Sequence, residues 1–361
     1  MYDLEINLIT NMGSSTGIGS YASEIYRMLH KSCNNVNLYS VHYVEGNSVA
    51  YSSNLSKFYA KNLLEIPIKN KLNFYMLKKA KIFKNKNIHL LGNDYSLASV
   101  SNNVVATIHE YYFTINGIFN SRKLKNVLIE MGYNYGLLKL HFEMGRFNKI
   151  IAPSKYSANQ IKYHTGIISE VIHETVDENK FHYRNKKISR RILRLPEDKF
   201  LILNVSNGGI NKNLSTLEKI ADFLPKNFKI LKIGEPLKSE NTINIPHLPD
   251  KYYPLLFNAS DIYSNVSINE GFNIPLLEAM KSSLPIISNK CSTAPELLGN
   301  EGIFVDNPFD IMEYINLIKT VNCVKTLNYY SEMSKRRSSY FSEEKSREKY
   351  LKVYSQSFDK I

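Results

Sequence analysis

The sequence comprises 361 residues, of which 43% are hydrophobic and 22% charged, and its formal net charge at pH 7 is +13. This composition excludes a disordered chain, and the length suffices for two α/β domains that each bury a core. No apolar run approaches the roughly 18 residues of a membrane-spanning helix, and the first residues lack the pattern of a signal peptide, so we expect a cytoplasmic protein.

Short apolar stretches rich in β-branched residues alternate with segments of helical periodicity, which predicts parallel sheets covered by helices on both faces. The strands predicted first are 4–10, 36–43, 88–91, 104–108, 150–153 and 170–172. After a charged, weakly apolar segment at 177–199, strands are predicted at 200–205, 229–233, 261–266, 285–288 and 303–305. Helical patterns include 21–30, 214–223 and a last helix at about 343–358. We place the interdomain hinge in 177–199, so that the domains cover 1–177 and 178–339.

Residues 55–86 are strongly basic. They contain nine lysines and one acid, Glu65, with aromatic and aliphatic side chains interleaved between the lysines. This composition suits a basic amphipathic surface that lies on an anionic membrane, and it equally suits a solvated helical face. Nucleic-acid binding is not expected, because no recognition motif accompanies the charge.

Residues typical of metal sites are sparse. The cysteines Cys33, Cys291 and Cys323 are widely spaced, which suits free thiols in a reducing compartment and argues against a zinc site. No Asp-x-Asp sequence occurs, and we find no P-loop. We therefore expect neither a metal site nor a cofactor.

Two glutamates separated by seven residues, Glu270 and Glu278, follow a strand-like apolar run. The chain is expected to turn at Gly271 and to enter a helix near Pro275, a residue suited to the first helical turn. The backbone N–H groups of 272–274 would then lie at a helix N-terminus, which favours an anion. Taken alone, such a short motif more often marks a capped helix with a solvated glutamate.

The surroundings of these glutamates resemble a known family. The ordered segments are Asn258-Ala-Ser-Asp261, Glu270-Gly-Phe272, Pro275-Leu-Leu-Glu-Ala-Met280, Pro285-Ile-Ile-Ser-Asn289 and Pro295-Glu-Leu297. They resemble the donor-binding half of family-4-type retaining glycosyltransferases (glycosyl transferases group 1), and the resemblance extends over nearly the whole chain. It implies an α/β GT-B fold, in which two Rossmann-like domains face each other across a cleft. A C-terminal helix, about 340–361, would cross back to the first domain.

The resemblance also implies roles for particular residues. Glu270 and His109, which ends a strand, would contact the transferred sugar as the catalytic residues, and Glu278 would bind the ribose of the donor. The donor phosphates would be held at helix N-termini and by one lysine, through Gly17, Gly19, Lys212, Phe272, Asn273 and Ile274. A Gly-x-Gly alone is usually a tight loop, and a histidine at the end of a strand is often structural.

Two positions depart from the family pattern. Near Asn207 the family commonly has an arginine, and the missing positive charge bears on the affinity for the donor or on its identity. At Asn273 glycine is frequent in the family, so the asparagine side chain is expected to project near the donor sugar.

The resemblance therefore implies a metal-independent, retaining enzyme that transfers a hexosyl unit of mannose, glucose or N-acetylhexosamine type. The donor would be a nucleotide-diphosphate sugar bound by the second domain, and the acceptor a glycan or a lipid-linked molecule bound by the first. Front-face attack is expected, with Glu270 positioning the sugar and not acting as a nucleophile. Two alternatives stay open: a nucleotide-sugar epimerase on the same fold, and a catalytically weak sugar-nucleotide-binding subunit.

Overall fold

The computed structural model describes residues 2–10, 17–43, 63–68, 85–92, 101–111, 140–246 and 248–358. The chain divides into two compact units, one formed by 1–174 together with 343–361, and the other by 175–342. From the sequence, these boundaries are expected at 177 and 339. Most of the basic stretch 55–86 lies outside the described residues.

The first unit is built on a parallel sheet that has seven strands within the described residues. The strands are β1 (Tyr2–Thr10), β2 (Cys33–Tyr43), β3 (Leu63–Ile68), β4 (Ile88–Leu90), β5 (Val104–Thr107), β6 (Lys149–Ala152) and β7 (Glu170–Val171), in the spatial order β3-β2-β1-β4-β5-β6-β7. Its helices include α1 (Gly17–His30) and α2 (Lys155–Thr165). Strands β4 and β5 are buried along their whole length, as expected when helices cover both faces of a parallel sheet.

The second unit contains a parallel sheet of six strands within the described residues. These are β8 (Phe200–Ser206), β9 (Phe228–Gly234), β10 (Thr242–Ile245), β11 (Ile262–Asn265), β12 (Ile286–Asn289) and β13 (Ile303–Val305), in the order β10-β9-β8-β11-β12-β13. Its helices include α3 (Lys186–Leu193), α4 (Leu214–Phe223), α5 (Tyr253–Ala259), α6 (Ile274–Lys281), α7 (Ala294–Leu298), α8 (Ile311–Val321) and α9 (Val324–Ser338). Alternate residues of β8 enter two separate apolar clusters, Leu201 and Leu203 in one and Phe200 and Ile202 in the other. Side chains of a strand point alternately to opposite faces, so the sheet has a core on each face.

The last helix, α10 (Glu343–Ser357), packs on the first unit, as expected from the sequence. One stripe of this helix, Tyr350, Val353 and Tyr354, is buried, and its tyrosines have polar partners in the first sheet and in α1. The Tyr350 hydroxyl lies 2.7 Å from that of Tyr21, and the Tyr354 hydroxyl lies 2.7 Å from Nδ1 of His89. Because these hydroxyls are buried, their hydrogen bonds specify one position of α10 on the sheet.

The segment 177–199, expected to be the hinge, belongs to the second unit and contains α3. The reason is a buried arginine. The Arg190 guanidinium donates to the carboxylate of Asp261 at 2.6 Å and to the carbonyl oxygens of Ala259 and Lys199 at 2.8 and 2.9 Å. A charged segment reads as solvated in a sequence, but here the charge is paired inside the unit.

The sequence pattern does not predict β3 and β10, and both lie at an edge of their sheet. An edge strand has one neighbour and needs less apolar surface than a central strand. Strand β10 accordingly contains no fully buried residue.

Candidate functional site

The donor residues predicted in the second unit lie at or near the carboxyl edge of its sheet. The chain runs from β8 outwards to β9 and β10, and it then returns to the other side of β8 with β11. Such a reversal of strand order opens a crevice at the carboxyl ends of the two central strands, where open α/β sheets bind ligands. The β8 loop (206–213) and the β11 loop (266–273) emerge at this point.

The two loops are joined by backbone and side-chain hydrogen bonds. The Ile268 N–H donates to the carbonyl oxygen of Asn211 at 2.8 Å, and the Asn211 side-chain amide donates to the carbonyl oxygen of Asn269 at 2.9 Å. These bonds give the β8 and β11 loops a fixed register.

An ion pair between Lys212 and Glu270 closes the same contact. The Lys212 Nζ lies 2.6 and 2.8 Å from the two carboxylate oxygens of Glu270. The side chains are 25% and 10% exposed, so the pair borders solvent at the crevice. The backbone N–H of Glu270 donates to the Ser292 hydroxyl at 3.1 Å, which fixes the backbone of the β11 loop at this residue. The structure thus brings together two residues that the sequence assigns to different parts of a donor.

Helix α6 begins at Ile274, and Asn273 caps it in the left-handed conformation with φ 80°. Its side-chain oxygen accepts from the Leu276 N–H at 3.2 Å, and its side-chain amide donates to Asn265 at 3.1 Å. Both polar atoms of the side chain are thus engaged within the protein, and the expectation that it projects near the donor sugar stays a prediction. The left-handed conformation explains why glycine suits this position.

Only some of the backbone N–H groups at the start of α6 have a hydrogen-bond acceptor. The Leu276 N–H is bonded to the cap, and Pro275 has none. Within the described residues, no acceptor bonds the N–H groups of Asn273 and Ile274. Phe272 contributes its ring to the core, where it meets Phe341 edge-on, and its carbonyl oxygen accepts from the Thr293 hydroxyl at 2.9 Å.

Glu278 is buried in α6, and its Oε2 accepts a hydrogen bond of 2.9 Å from the Tyr253 hydroxyl. Burial, together with the charge of Glu278, raises the pKa of Tyr253 well above its usual value. Burial also raises the pKa of Tyr263, and the charges of Glu270 and Glu278 add to this effect. Tyr263 therefore lies in the field of both glutamates, and nothing in the sequence spacing points to either tyrosine.

A buried lysine also belongs to this edge of the sheet. Lys232, in β9, is 1% exposed, and its Nζ donates to the Ser206 carbonyl oxygen at 2.6 Å and to the Ile233 carbonyl oxygen at 2.7 Å. Burial lowers its pKa to about 8. The available signal was a lysine inside an apolar run, Ile230-Leu-Lys-Ile233, where a charged residue is rarely buried without a partner.

The residues predicted in the first unit include His109, which is buried at the end of the sheet. Its Nδ1 lies 3.0 Å from the Glu174 carboxylate, and its Nε2 lies 3.1 Å from the Leu91 carbonyl oxygen. Burial lowers the pKa of His109, but the hydrogen bond and charge of Glu174 outweigh burial, and the net shift is upward. Both acceptors require an N–H, so the arrangement favours the imidazolium. The sequence did not identify Glu174.

Gly17 and Gly19 lie in the first turn of α1, which begins at Gly17, ahead of the helix predicted at 21–30. The residues that precede them, 11–16, are outside the described part of the chain. The helix brings Tyr21 edge-on to the His109 ring, with 4.7 Å between the ring centroids.

The described ranges contain no cluster of His, Cys, Asp and Glu suited to a metal ion. No helix in the same ranges is long and apolar enough to cross a membrane.

Comparisons with known proteins point in one direction. Residues 185–337 match the model of the family described as "Glycosyl transferases group 1". The chain is 24% identical to the O-antigen biosynthesis glycosyltransferase WclY of Escherichia coli over 72% of this chain and 73% of that protein. It is also 24% identical to the sulfoquinovosyl transferase SQD2 of Arabidopsis thaliana, over 48% of this chain but only 35% of that protein.

Among solved structures, the chain is similar to Anabaena Alr3699/HepE, crystallised in complex with UDP and glucose. The TM-score is 0.76 with 16% sequence identity, and the match covers 98% of this chain and 99% of the other. At this identity the likeness concerns the fold alone, and it confirms the GT-B fold class expected from the sequence.

Proposed function

We propose that this chain, whose residues 185–337 match the glycosyl transferases group 1 model, is a member of that family and a retaining, metal-independent hexosyltransferase that uses a nucleotide-diphosphate sugar. The observation that carries the proposal is the Lys212–Glu270 pair at the switch point of the second sheet, beside the N-terminus of α6. A cation, a carboxylate and helix amides in one crevice match the diphosphate and the sugar hydroxyls of such a donor.

Donor binding is proposed to exchange the partner of Lys212. A diphosphate competes with Glu270 for the ammonium, and the amides of Asn273 and Ile274 with the α6 dipole hold a phosphate oxygen. Glu270, once released, accepts hydrogen bonds from the sugar and offsets the positive charge that develops at its anomeric carbon. The leaving phosphate oxygen takes the proton of the acceptor hydroxyl in the front-face attack. The pair borders solvent, which supports this exchange.

Glu278 is assigned to the ribose. A carboxylate offers about four lone-pair positions, and the hydrogen bond from Tyr253 uses one of them while holding the side chain in one direction. Ribose hydroxyls, which are hydrogen-bond donors, suit a carboxylate held in this way.

His109, from the first unit, is proposed to lie beside the transferred sugar. With both ring nitrogens donating, to Glu174 and to Leu91, it serves as a fixed positive charge and not as a proton acceptor. Gly17 and Gly19 keep their proposed place near the donor phosphates, since they lie in the first turn of α1, where the helix dipole favours an anion.

The proposed acceptor is a glycan or a lipid-linked molecule. The relation to an O-antigen biosynthesis glycosyltransferase supports this class, and the HepE complex with UDP-glucose makes UDP-glucose the first donor to test.

Peripheral attachment to an anionic membrane surface through residues 55–86 is also part of the proposal. It rests on nine lysines against one acid, and each lysine near an anionic surface contributes about 1 kcal/mol.

The test is donor turnover by the purified chain in EDTA. UDP-glucose, UDP-N-acetylglucosamine and GDP-mannose are each incubated with and without a glycan or lipid-linked acceptor, and the products are analysed for the anomeric configuration. The proposal expects slow hydrolysis of one donor without acceptor and transfer with retention when an acceptor is present. Epimerised donor without acceptor would favour an epimerase, and binding without any turnover would favour a sugar-nucleotide-binding subunit. Activity that requires magnesium or manganese would contradict metal independence.

A further inference from the structure

The hydrogen bonds of Lys232 determine its protonation state. Besides the carbonyl oxygens of Ser206 and Ile233, its Nζ contacts the Ser206 hydroxyl oxygen at 3.1 Å. That hydroxyl donates its own proton to the Asn204 side-chain oxygen at 2.7 Å, and the Asn204 amide group is oriented by donation to the Ser264 carbonyl oxygen. All three groups around Nζ are thus acceptors, and only an ammonium has three N–H groups to satisfy them.

This buried ammonium has no close counter-ion. No described carboxylate lies within 4.0 Å of it. Burial depresses its pKa most strongly, the charge of Lys212 depresses it further, and the charge of Glu235 opposes both. Glu235 itself lies against Gly208 at the start of the β8 loop. A buried charge that lacks a counter-ion is costly, which calls for a reason in function.

The ammonium fixes one peptide plane of the β8 loop. The Ser206 carbonyl oxygen accepts both from Lys232 and from the Glu235 N–H at 3.1 Å. Gly234, with φ 93°, permits this approach, because a Cβ there would overlap the Ser206 carbonyl group. No peptide bond of the described chain is cis. In a trans peptide the next N–H points opposite to the carbonyl, so the Asn207 N–H points away from Lys232.

We propose that Lys232 is a positioning residue of the donor-phosphate site. It holds the Ser206–Asn207 peptide so that the Asn207 N–H is presented to a donor phosphate, and it adds a fixed positive charge beneath the β8 loop. No acceptor bonds this N–H within the described residues, as a phosphate-binding amide requires. The inference rests on the proposed function, because it needs an anionic donor at the β8 loop.

Binding of the donor is expected to be linked to protonation. A diphosphate stabilises the charged form of Lys232, so binding raises its pKa from about 8, and the protein takes up protons when the donor binds near that pH. Affinity is therefore highest below pH 8 and falls as pH rises through it. Lys212 and Glu235 are the charged groups that act on Lys232.

The experiment compares the parent chain with Lys232→Met and with Lys229→Met as a matched control. Lys229 lies on the same strand, but its Nζ bonds the Glu240 carbonyl oxygen and Asn241. UDP-glucose binding is measured by calorimetry between pH 6.5 and 9.5, in buffers of different ionisation enthalpy that report proton uptake. The diphosphate of UDP-glucose has no proton that titrates in this range, and uridine, whose uracil N3–H begins to ionise near the upper limit, is measured alongside to account for the base.

We expect the parent and Lys229→Met to take up protons near pH 8. Lys232→Met should show no such uptake and bind about tenfold more weakly at pH 7, as expected when one charge and one aligned amide are lost. Uridine should bind all three proteins equally. Equal UDP-glucose affinity in the parent and Lys232→Met, or absence of proton uptake by the parent, would overturn the inference and leave the proposed function standing. If the parent binds none of UDP-glucose, UDP-N-acetylglucosamine and GDP-mannose, the proposed donor site itself fails. Because proton uptake is measured on the parent, the test holds even if Lys232→Met does not fold.

Discussion

Two cation–carboxylate pairs lie at the carboxyl edges of two similar parallel sheets, and they differ in what remains available to a ligand. The Lys212–Glu270 pair has side chains 25% and 10% exposed, whereas His109 and Glu174 are 10% and 4% exposed. Lysine turns freely about its long stem, so it can exchange partners, but His109 has both nitrogens engaged by Glu174 and Leu91. The same pairing of charges therefore suits ligand exchange in one sheet and a fixed charge in the other.

The largest expected effect tests the partly exposed Lys212–Glu270 pair, which we call the open pair. Glu270→Gln should lower sugar transfer by about 10²- to 10³-fold, because the carboxylate that offsets charge at the anomeric carbon is lost. Donor affinity should stay within about threefold of the parent. The variant weakens the hydrogen bonds to the sugar, but Lys212 no longer has to leave a carboxylate in order to bind the diphosphate. The measurement is kcat with UDP-glucose, or with the donor that the protein turns over, alongside calorimetric binding.

Glu278→Gln serves as the contrasting variant, and the exposed Glu197→Gln as the control. If Glu278 binds ribose, its variant should bind both nucleotide and nucleoside more weakly, by about fivefold, as one charged hydrogen-bond acceptor is lost. If Glu270→Gln transferred sugar at the parental rate, the Lys212–Glu270 pair would be structural, and its proposed exchange with the donor would fail.

The buried His109–Glu174 pair, which we call the closed pair, is expected to stabilise the fold. Glu174→Gln leaves His109 buried without a counter-ion and should destabilise the first unit by about 3 kcal/mol at pH 5. The folded-state pKa of His109 is raised, so the stabilisation is complete below the unfolded value of about 6.5 and is lost as pH rises through the folded value. The variant should therefore differ from the parent much less at pH 9.

Thermal unfolding at the two pH values checks this prediction, with the exposed Glu348→Gln on α10 as the control. A loss of stability that is equal at pH 5 and pH 9 would mean that His109 is neutral in the folded chain. The contrast between a fixed cation and an exchangeable one would then fail.

The smallest effect concerns the cap that frames the open pair. Asn273→Ala should destabilise the second unit by about 2 kcal/mol, because alanine is strained at φ 80° and cannot cap α6. Asn273→Gly should cost about 0.5 kcal/mol or less, because glycine adopts this conformation freely. Thermal unfolding of both variants measures the difference. Equal stability of the two would show that neither the backbone conformation nor the cap matters at this site.

Much of the second unit could be predicted from local sequence. Helix α4 begins at Leu214 as expected, α6 begins one residue before Pro275, residues 185–337 match the model of the expected family, and the GT-B fold class is confirmed. These features depend on residues close in the chain: a proline suited to a first turn, an apolar period, and ordered segments between 256 and 306. The roles of the site residues stay predictions.

What the sequence by itself determined was the type and order of most elements, though not the edge strands β3 and β10, and the residues that carry charge at the ends of strands, since these follow from local pattern. Only the tertiary structure decided how those charges are partnered. Lys212 and Glu270 are 58 positions apart, His109 and Glu174 are 65 apart, and Lys232 and Ser206 are 26 apart. No local pattern encodes such contacts. They arise because parallel strands distant in the chain end at the same edge of a sheet, where a buried charge is costly unless it has a polar or charged partner.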